Sequence, residues 1–225
     1  FRGRVLHGHS MGGLVAVDLV DRAPEKVERL ILLGAPIVVE PNPPLSNLLW
    51  RTFGRFLFFL LPAIGRVALP PIVRFKARPL QRIRDFPPDP AVVARFQRLG
   101  LDVSRIQPEL LGILADQAEQ FRRRDRADAA LSSLASLLSA TVIDQRRLAE
   151  AVDRIRAPTF VVWGARDRLV RPGIIDSLLA RRPDWELETL PHSGHLTTWE
   201  DPVAYVCSVV RWLDMPIRNQ PTNTA

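Results

Sequence analysis

Cysteine is nearly absent from this chain. The single one, Cys207, rules out a disulfide framework and a cysteine-based metal site, and it leans toward a reducing compartment. Its own surroundings read as those of a small apolar residue on a helix. Lysine is equally scarce: Lys26 and Lys76 are the only two among 31 basic residues, so arginine carries almost all of the formal charge of +7. Such an excess attracts anionic surfaces. No recognition helix, aromatic RNA-binding signature or zinc-finger spacing accompanies it, so no nucleic-acid partner is expected. Long uncharged runs are missing too. Between Leu45 and Val73 the longest, Phe56 to Gly65, is ten residues, well short of the roughly twenty a membrane-spanning helix needs. Four histidines without matching carboxylate spacing give no metal site, and no organic cofactor is implied.

What remains is the composition of a globular protein. With 225 residues, 47% of them hydrophobic, the chain can bury one substantial core. It opens on Phe1 without an initiator Met, and the first motif follows within a few residues. The expectation is therefore a C-terminal portion of a longer protein. A targeting signal would lie upstream, so a cytoplasmic location is only the default, and the oligomeric state stays open.

The pattern along the chain alternates strand and helix at both ends. Arg4 to His7 reads as the end of a strand, and Met11 to Asp21 as a helix with Leu14, Val15, Leu19 and Val20 at core spacing. Pro24 stops that helix, and Val27 to Leu33 forms a short apolar run ending at Gly34-Ala35-Pro36, as a buried parallel strand would. From about residue 41 to 153 the pattern is helical and punctuated by prolines. Its first segment, Leu45 to Leu61, places Leu45, Leu48, Leu49, Phe53, Phe56 and Leu60 on one face, with Arg51 and Arg55 a turn apart on another. Asp89-Pro90 reads as a cap and first turn before Val92, Val93, Phe96 and Leu99, with Gly100 as the stop. Another helix is expected from Pro108 to about Arg124. Strand character returns at Thr159 to Gly164 and again at Trp185 to Leu190. After Asp201-Pro202 a last helix is expected to bury Val203, Val206, Cys207, Val210 and Leu213, before a frayed tail.

Gly8-His9-Ser10-Met11-Gly12 fits G-x-S-x-G, set between a strand and a helix as that motif requires. A side chain at Gly8 or Gly12 is expected to collide in the tight turn that projects Ser10, and Gly13 to let the helix approach the strands closely. Asp167 and His195 each follow a predicted strand, in the order serine, acid, histidine. A serine hydroxyl is a poor nucleophile at neutral pH. It needs a neutral imidazole to take its proton and a carboxylate to orient that imidazole. Ser10 could instead be a turn residue, Glu40 stands as a fallback acid, and His192 competes with His195. His7 and His9 are expected to pack or cap.

Gly8-His9-Ser10-Met11-Gly12-Gly13, Trp163-Gly164-Ala165-Arg166-Asp167 and Gly194-His195 resemble the α/β-hydrolase superfamily, especially its small esterases and lipases. The resemblance covers nearly the whole chain. It implies an α/β fold with a mostly parallel sheet, of which strands five to eight are present, and an inserted helical lid. The division is then a nucleophile-elbow part at 1–40, the lid at 41–153, and a second core part at 154–225. It implies Ser10 as nucleophile, His195, the histidine after Gly194, as base, Asp167 as acid, and the Met11 N–H as one oxyanion donor. The family's first four strands, and the loop that usually gives a second donor, have no counterpart here. Losing one donor costs about a hundred- to a thousandfold in turnover, and an uncovered strand edge promotes aggregation, so this stretch by itself is expected to fold poorly or act weakly.

The activity so implied is hydrolysis of a small lipophilic ester through an acyl-enzyme on Ser10. Thioesterase, C–C hydrolase, perhydrolase and acyltransferase chemistries share the same residues, and an inactive truncated or binding module stands beside them. The basic apolar segment from Leu45 to Val73, with Arg51, Arg55 and Arg66 inside it and Arg74 just past its end, reads in three ways: ordinary lid packing, a wall for an acyl chain, or a peripheral contact with membrane surfaces.

Overall fold

The computed structural model describes residues 4–40, 49–54, 56–58, 60, 87–120 and 124–216. Leu45, Leu48, Arg55, Arg66, Arg74, Phe121 and the C-terminal tail lie outside them, as does the Arg51 side chain. The chain divides into two compact units, Phe1–Val39 with Arg147–Ala225, and Glu40–Arg146.

The first unit is built on a parallel four-stranded sheet in the order β1-β2-β3-β4. Its strands are β1 (Val5–His9), β2 (Arg29–Leu33), β3 (Thr159–Gly164) and β4 (Glu186–Leu190). The register sets His9 against Leu33, Leu33 against Val162, and Gly164 against Leu190, which gathers the C-terminal strand ends along one rim. Ligand sites in open α/β sheets form at that rim. All six residues of β3 are buried, as expected for a central strand flanked on both sides.

Between the strands run α1 (Met11–Arg22), α5 (Gln145–Arg154) and α6 (Pro172–Arg181); α7 (Thr197–Glu200) and α8 (Pro202–Asp214) follow β4. Ile31, Leu33, Phe160, Val162 and Leu190 form one face of the sheet, closed by Trp212 of α8. Phe160 and Trp212 stack at 5.2 Å with their planes 11° apart. Alternate residues Leu30, Leu32 and Val161 point to the opposite face and are buried there too.

Two helices turn a different side to the core from the one their periodicity suggests. In α1, Leu14, Ala16, Val17 and Val20 are buried, whereas Val15 is 64% exposed and Leu19 is also exposed. In α8, Ser208 and Trp212 are buried and Ala204, Tyr205, Val209 and Leu213 pack beside them. Val203, Val206, Cys207 and Val210, expected inside, are exposed. Both helices are apolar on more than one side; in α1 the buried side carries Gly13, packed against Ala35, and in α8 it carries Trp212, stacked on Phe160. Four-residue α7 was also not foreseen.

In the second unit, residues 50–54 form a π-helical turn (Trp50–Gly54), followed by α2 (Pro90–Gln97), α3 (Pro108–Gln120) and α4 (Arg124–Leu138). The Asp89 carboxylate caps α2, accepting from Ala91 N–H at 2.7 Å, as its sequence predicts. The helix expected from Pro108 to about Arg124 is described from Pro108 to Gln120, and residues 121–123 of that expectation lie outside the described residues. Phe53 and Phe56 are exposed. Among the described residues no helix is long and apolar enough to cross a membrane.

Candidate active site

Ser10 stands between β1 and α1 at φ 53° and ψ −124°, the only non-glycine residue with positive φ among those described. The turn is held by Ser10 N–H donating to Leu33 C=O and Gly13 N–H donating to Ser10 C=O, each at 2.9 Å. A Cβ on Gly8 would lie 2.6 Å from Gly12 O and 2.7 Å from Gly13 Cα, so only glycine fits there. A Cβ on Gly13 would strike Ala35. Gly12 departs from expectation, because nothing lies within 4 Å of where its Cβ would be. It points away from the turn.

Asp167 follows β3 in a loop held by Trp163 Nε1–H, which donates to Val170 C=O at 3.0 Å. Its Oδ1 accepts from Leu169 N–H at 2.8 Å and Val170 N–H at 2.9 Å, leaving Oδ2 for His195 Nδ1 at 2.7 Å. His195 Nε2 is 2.9 Å from Ser10 Oγ. The Asp167 and His195 side chains are 1% and 8% exposed. Residues 185 and 28 positions apart thus meet in one chain of hydrogen bonds, buried at its Asp167 end: Ser10 with His195, and His195 with Asp167. With Nδ1–H donated to the carboxylate, Nε2 is left as the acceptor for the serine hydroxyl; the partners assign that tautomer. Asp167, and not Glu40, is the carboxylate at Nδ1. His192 is exposed and stands outside the array.

Met11 opens α1, so its N–H is among those a helix leaves without an internal partner, at the positive end of the helix dipole. That suits a developing oxyanion on a carbonyl attacked by Ser10. Gly34, at φ 50°, passes under the array: a Cβ there would lie 3.3 Å from Asp167 Oδ2 and 3.4 Å from His195 Nδ1.

Two polar residues around His195 were not read as part of the site. Glu200, 3% exposed, accepts from Gly194 N–H at 2.5 Å and from Leu196 N–H at 3.2 Å. His9 donates from Nε2 to the His195 C=O at 2.8 Å, with the two rings 5.1 Å apart. Burial, aided by the neighbouring His195, holds the His9 imidazole below its ordinary range, against the opposing pull of its hydrogen bond and of Asp167. Nothing in the run Thr197-Thr198-Trp199-Glu200 distinguishes Glu200 from a solvated first-turn residue, and the only hint at His9 is its place beside Ser10. No cluster of His, Cys, Asp or Glu among the described residues could hold a metal ion.

A strained strand-turn-helix serine with an acid and a histidine on the same rim of a parallel sheet defines the α/β hydrolase class. The chain belongs to the Alpha/beta hydrolase family, whose profile matches residues 1–209. Over 214 residues it is 31% identical to the pimeloyl-[acyl-carrier protein] methyl ester esterase of Aromatoleum aromaticum, covering 92% of this chain and 74% of the relative. It is 27% identical over 209 residues to a 2-hydroxy-6-oxononadienedioate/2-hydroxy-6-oxononatrienedioate hydrolase of Cupriavidus pinatubonensis, covering 92% of this chain and 60% of that one. Among solved structures, a probable hydrolytic enzyme of Pseudomonas aeruginosa shares the fold, with a TM-score of 0.57 at 20% identity over 95% of this chain and 64% of the other.

Proposed function

We propose that the protein is a serine hydrolase that cleaves a carboxylic ester with a lipophilic acyl or alcohol part. The observation that carries this reading is the continuous hydrogen-bonded array from Ser10 through His195 to Asp167. Ser10 Oγ attacks the ester carbonyl carbon as its proton passes to His195 Nε2. Asp167 holds the imidazole and stabilises the charge it gains. The Met11 N–H receives the negative oxygen of the tetrahedral intermediate. Collapse of that intermediate expels the alcohol, protonated by His195, and leaves an acyl group on Ser10. Water, deprotonated by His195, then releases the acid and restores the serine.

The lipophilic part of the reading rests on the second unit. Leu49, Trp50, Phe53, Phe56, Leu57 and Leu60 line a groove there of about 710 Å³, with no charged side chain among the described residues of its lining. Such walls offer apolar binding area to an acyl chain. The likeness to a methyl ester esterase supports an ester substrate, whereas the likeness to a dienedioate-type hydrolase keeps C–C bond hydrolysis as the second reading. Both chemistries can use one serine, histidine and aspartate, and they differ in the substrate taken. The same apolar surface, in a sequence of net charge +7, is further proposed to touch anionic membranes.

The test is hydrolysis of p-nitrophenyl esters of increasing acyl length by the chain and by Ser10→Ala. Loss of turnover by about 10⁴-fold or more in the variant, with preference for longer chains, is the expected result. Turnover that survives the substitution excludes Ser10 as nucleophile; a preference for vinylogous diketones over esters moves the reading to C–C hydrolysis.

A further inference from the structure

The main chain around His195 is gripped from two directions. From the C-terminal side, the buried Glu200 carboxylate takes the N–H groups of Gly194 and Leu196, the residues on either side of the base. From the other side, His9 Nε2–H donates to the carbonyl of His195 itself. The two grips use complementary chemistry, an acceptor for two amides and a donor for the carbonyl between them. Thr197 Oγ–H adds a bond to Gly194 C=O at 2.9 Å. Consecutive main-chain polar groups of this loop are thereby tied to side chains.

We propose that Glu200 and His9 are positioning residues that together set the distance between His195 Nε2 and Ser10 Oγ. The proposal rests on the serine-hydrolase reading above. Asp167 orients the imidazole by its Nδ1 but reaches it through a loop after a different strand. His9 precedes the nucleophile by one residue in the same turn. Its bond therefore references the base directly to the strand that carries Ser10, across 186 positions of sequence. Proton transfer needs heavy atoms within about 2.6–3.2 Å, and a misplacement of about 1 Å costs on the order of a hundredfold in rate. A loop tied only by its own turn would sample that range.

His9 also suits this place because burial disfavours its protonated form. An uncharged ring beside His195 does not repel the imidazolium that forms when Ser10 attacks. A lysine or arginine could donate to the same carbonyl, but would set a positive charge against the base. Glu200 lies beyond both, touching backbone alone in these two bonds, and it contributes no atom to the reacting groups.

Four variants of the full chain decide the matter: Ser10→Ala, Glu200→Gln, His9→Phe and His9→Gln, each measured for kcat, KM, labelling rate by a fluorophosphonate probe, and melting temperature. Gln at position 200 keeps the shape but turns an amide NH₂ toward one of the two N–H groups. Phe at position 9 keeps the ring and loses the donor, whereas Gln returns an N–H at the position of Nε2. The expected result is that Glu200→Gln and His9→Phe lower kcat and labelling by about tenfold or more with KM changed by less than about threefold, and that His9→Gln recovers most of the loss. Loss of kcat in step with melting temperature, without rescue by Gln, would mean ordinary fold support and overturn the proposal. So would unchanged kcat and labelling in Glu200→Gln and His9→Phe while Ser10→Ala is inactive, a result that leaves the serine-hydrolase reading standing. If Glu200→Gln does not fold, the contrast between Phe and Gln at position 9 still decides. A parent chain that the probe does not label at Ser10 overturns the serine-hydrolase reading itself, and the positioning role with it.

Discussion

Ser10 occupies a backbone region that costs an L-residue roughly 1–2 kcal/mol, and three glycines around it show what that conformation demands of its neighbours. Gly8 is enclosed by backbone, which cannot move aside. Gly12 faces open space inside α1, where alanine is the better helix former by about 1 kcal/mol. Gly34 combines a positive φ with close approach to Asp167 and His195. Chemical denaturation of the three Ala variants is therefore expected to separate them by sign. Gly8→Ala should lose about 1–3 kcal/mol by overpacking, and Gly12→Ala should hold or gain about 0.5–1 kcal/mol. Gly34→Ala should lose about 1 kcal/mol and, because the new methyl presses on the Asp167–His195 pair, should also lower kcat. Equal losses at Gly8 and Gly12 would contradict this account. The G-x-S-x-G pattern was legible as residues, but the different burdens on its two glycines were not. Only the path of α1 away from the turn tells which one is enclosed.

At the scale of elements, α8 is fixed to the sheet at its C-terminal end. Arg29 of β2 lies 5.2 Å over the Trp212 ring and donates to the carbonyls of Trp212 and Leu213 at 2.9 Å and of Met215 at 2.5 Å. The Trp212 and Leu213 carbonyls belong to the last turn, which lacks i+4 helical donors, at the negative end of the helix dipole, and Met215 is the residue just past it. Trp212 Nε1–H reaches Glu186 of β4 at 3.1 Å, so one helix end binds both an inner and an outer strand. Arg29→Ala is expected to cost about 1–2 kcal/mol in urea denaturation. Arg29→Lys should recover less than half, since one ammonium cannot match a planar fork serving three carbonyls. Full recovery by lysine would reduce the interaction to charge alone. The rotation of α8 was not legible beforehand. Its sequence offers a valine stripe at 203, 206 and 210 as regular as the buried one, and only the stack of Trp212 on Phe160 selects between them.

At the scale of the whole molecule, the two units have different chemical characters. The sheet unit carries the buried array, whereas the unit at 40–146 exposes Leu49, Phe53, Phe56 and Leu57 in a chain whose charge is strongly positive. If that surface meets membranes, the chain should sediment with vesicles containing phosphatidylserine more than with neutral ones. Binding should fall as salt rises from about 0.05 to 0.5 M, where the screening length shrinks from above to below about 10 Å. Equal binding to both vesicle types, or none, removes the electrostatic contact from the proposed function.

The sequence by itself determined the strands, the capping of two helices by Asp89 and Asp201, and the residue types and order of Ser10, Asp167 and His195. These are local signals: turns, caps and strand periodicity depend on neighbours within a few positions. Tertiary structure decided which side of α1 and α8 is buried, why Gly34 must be glycine, and that Glu200 and His9 converge on the loop of His195. Each of these depends on atoms from segments far apart in the chain. Periodicity records that a helix has an apolar side; only what packs across from it decides which side is used.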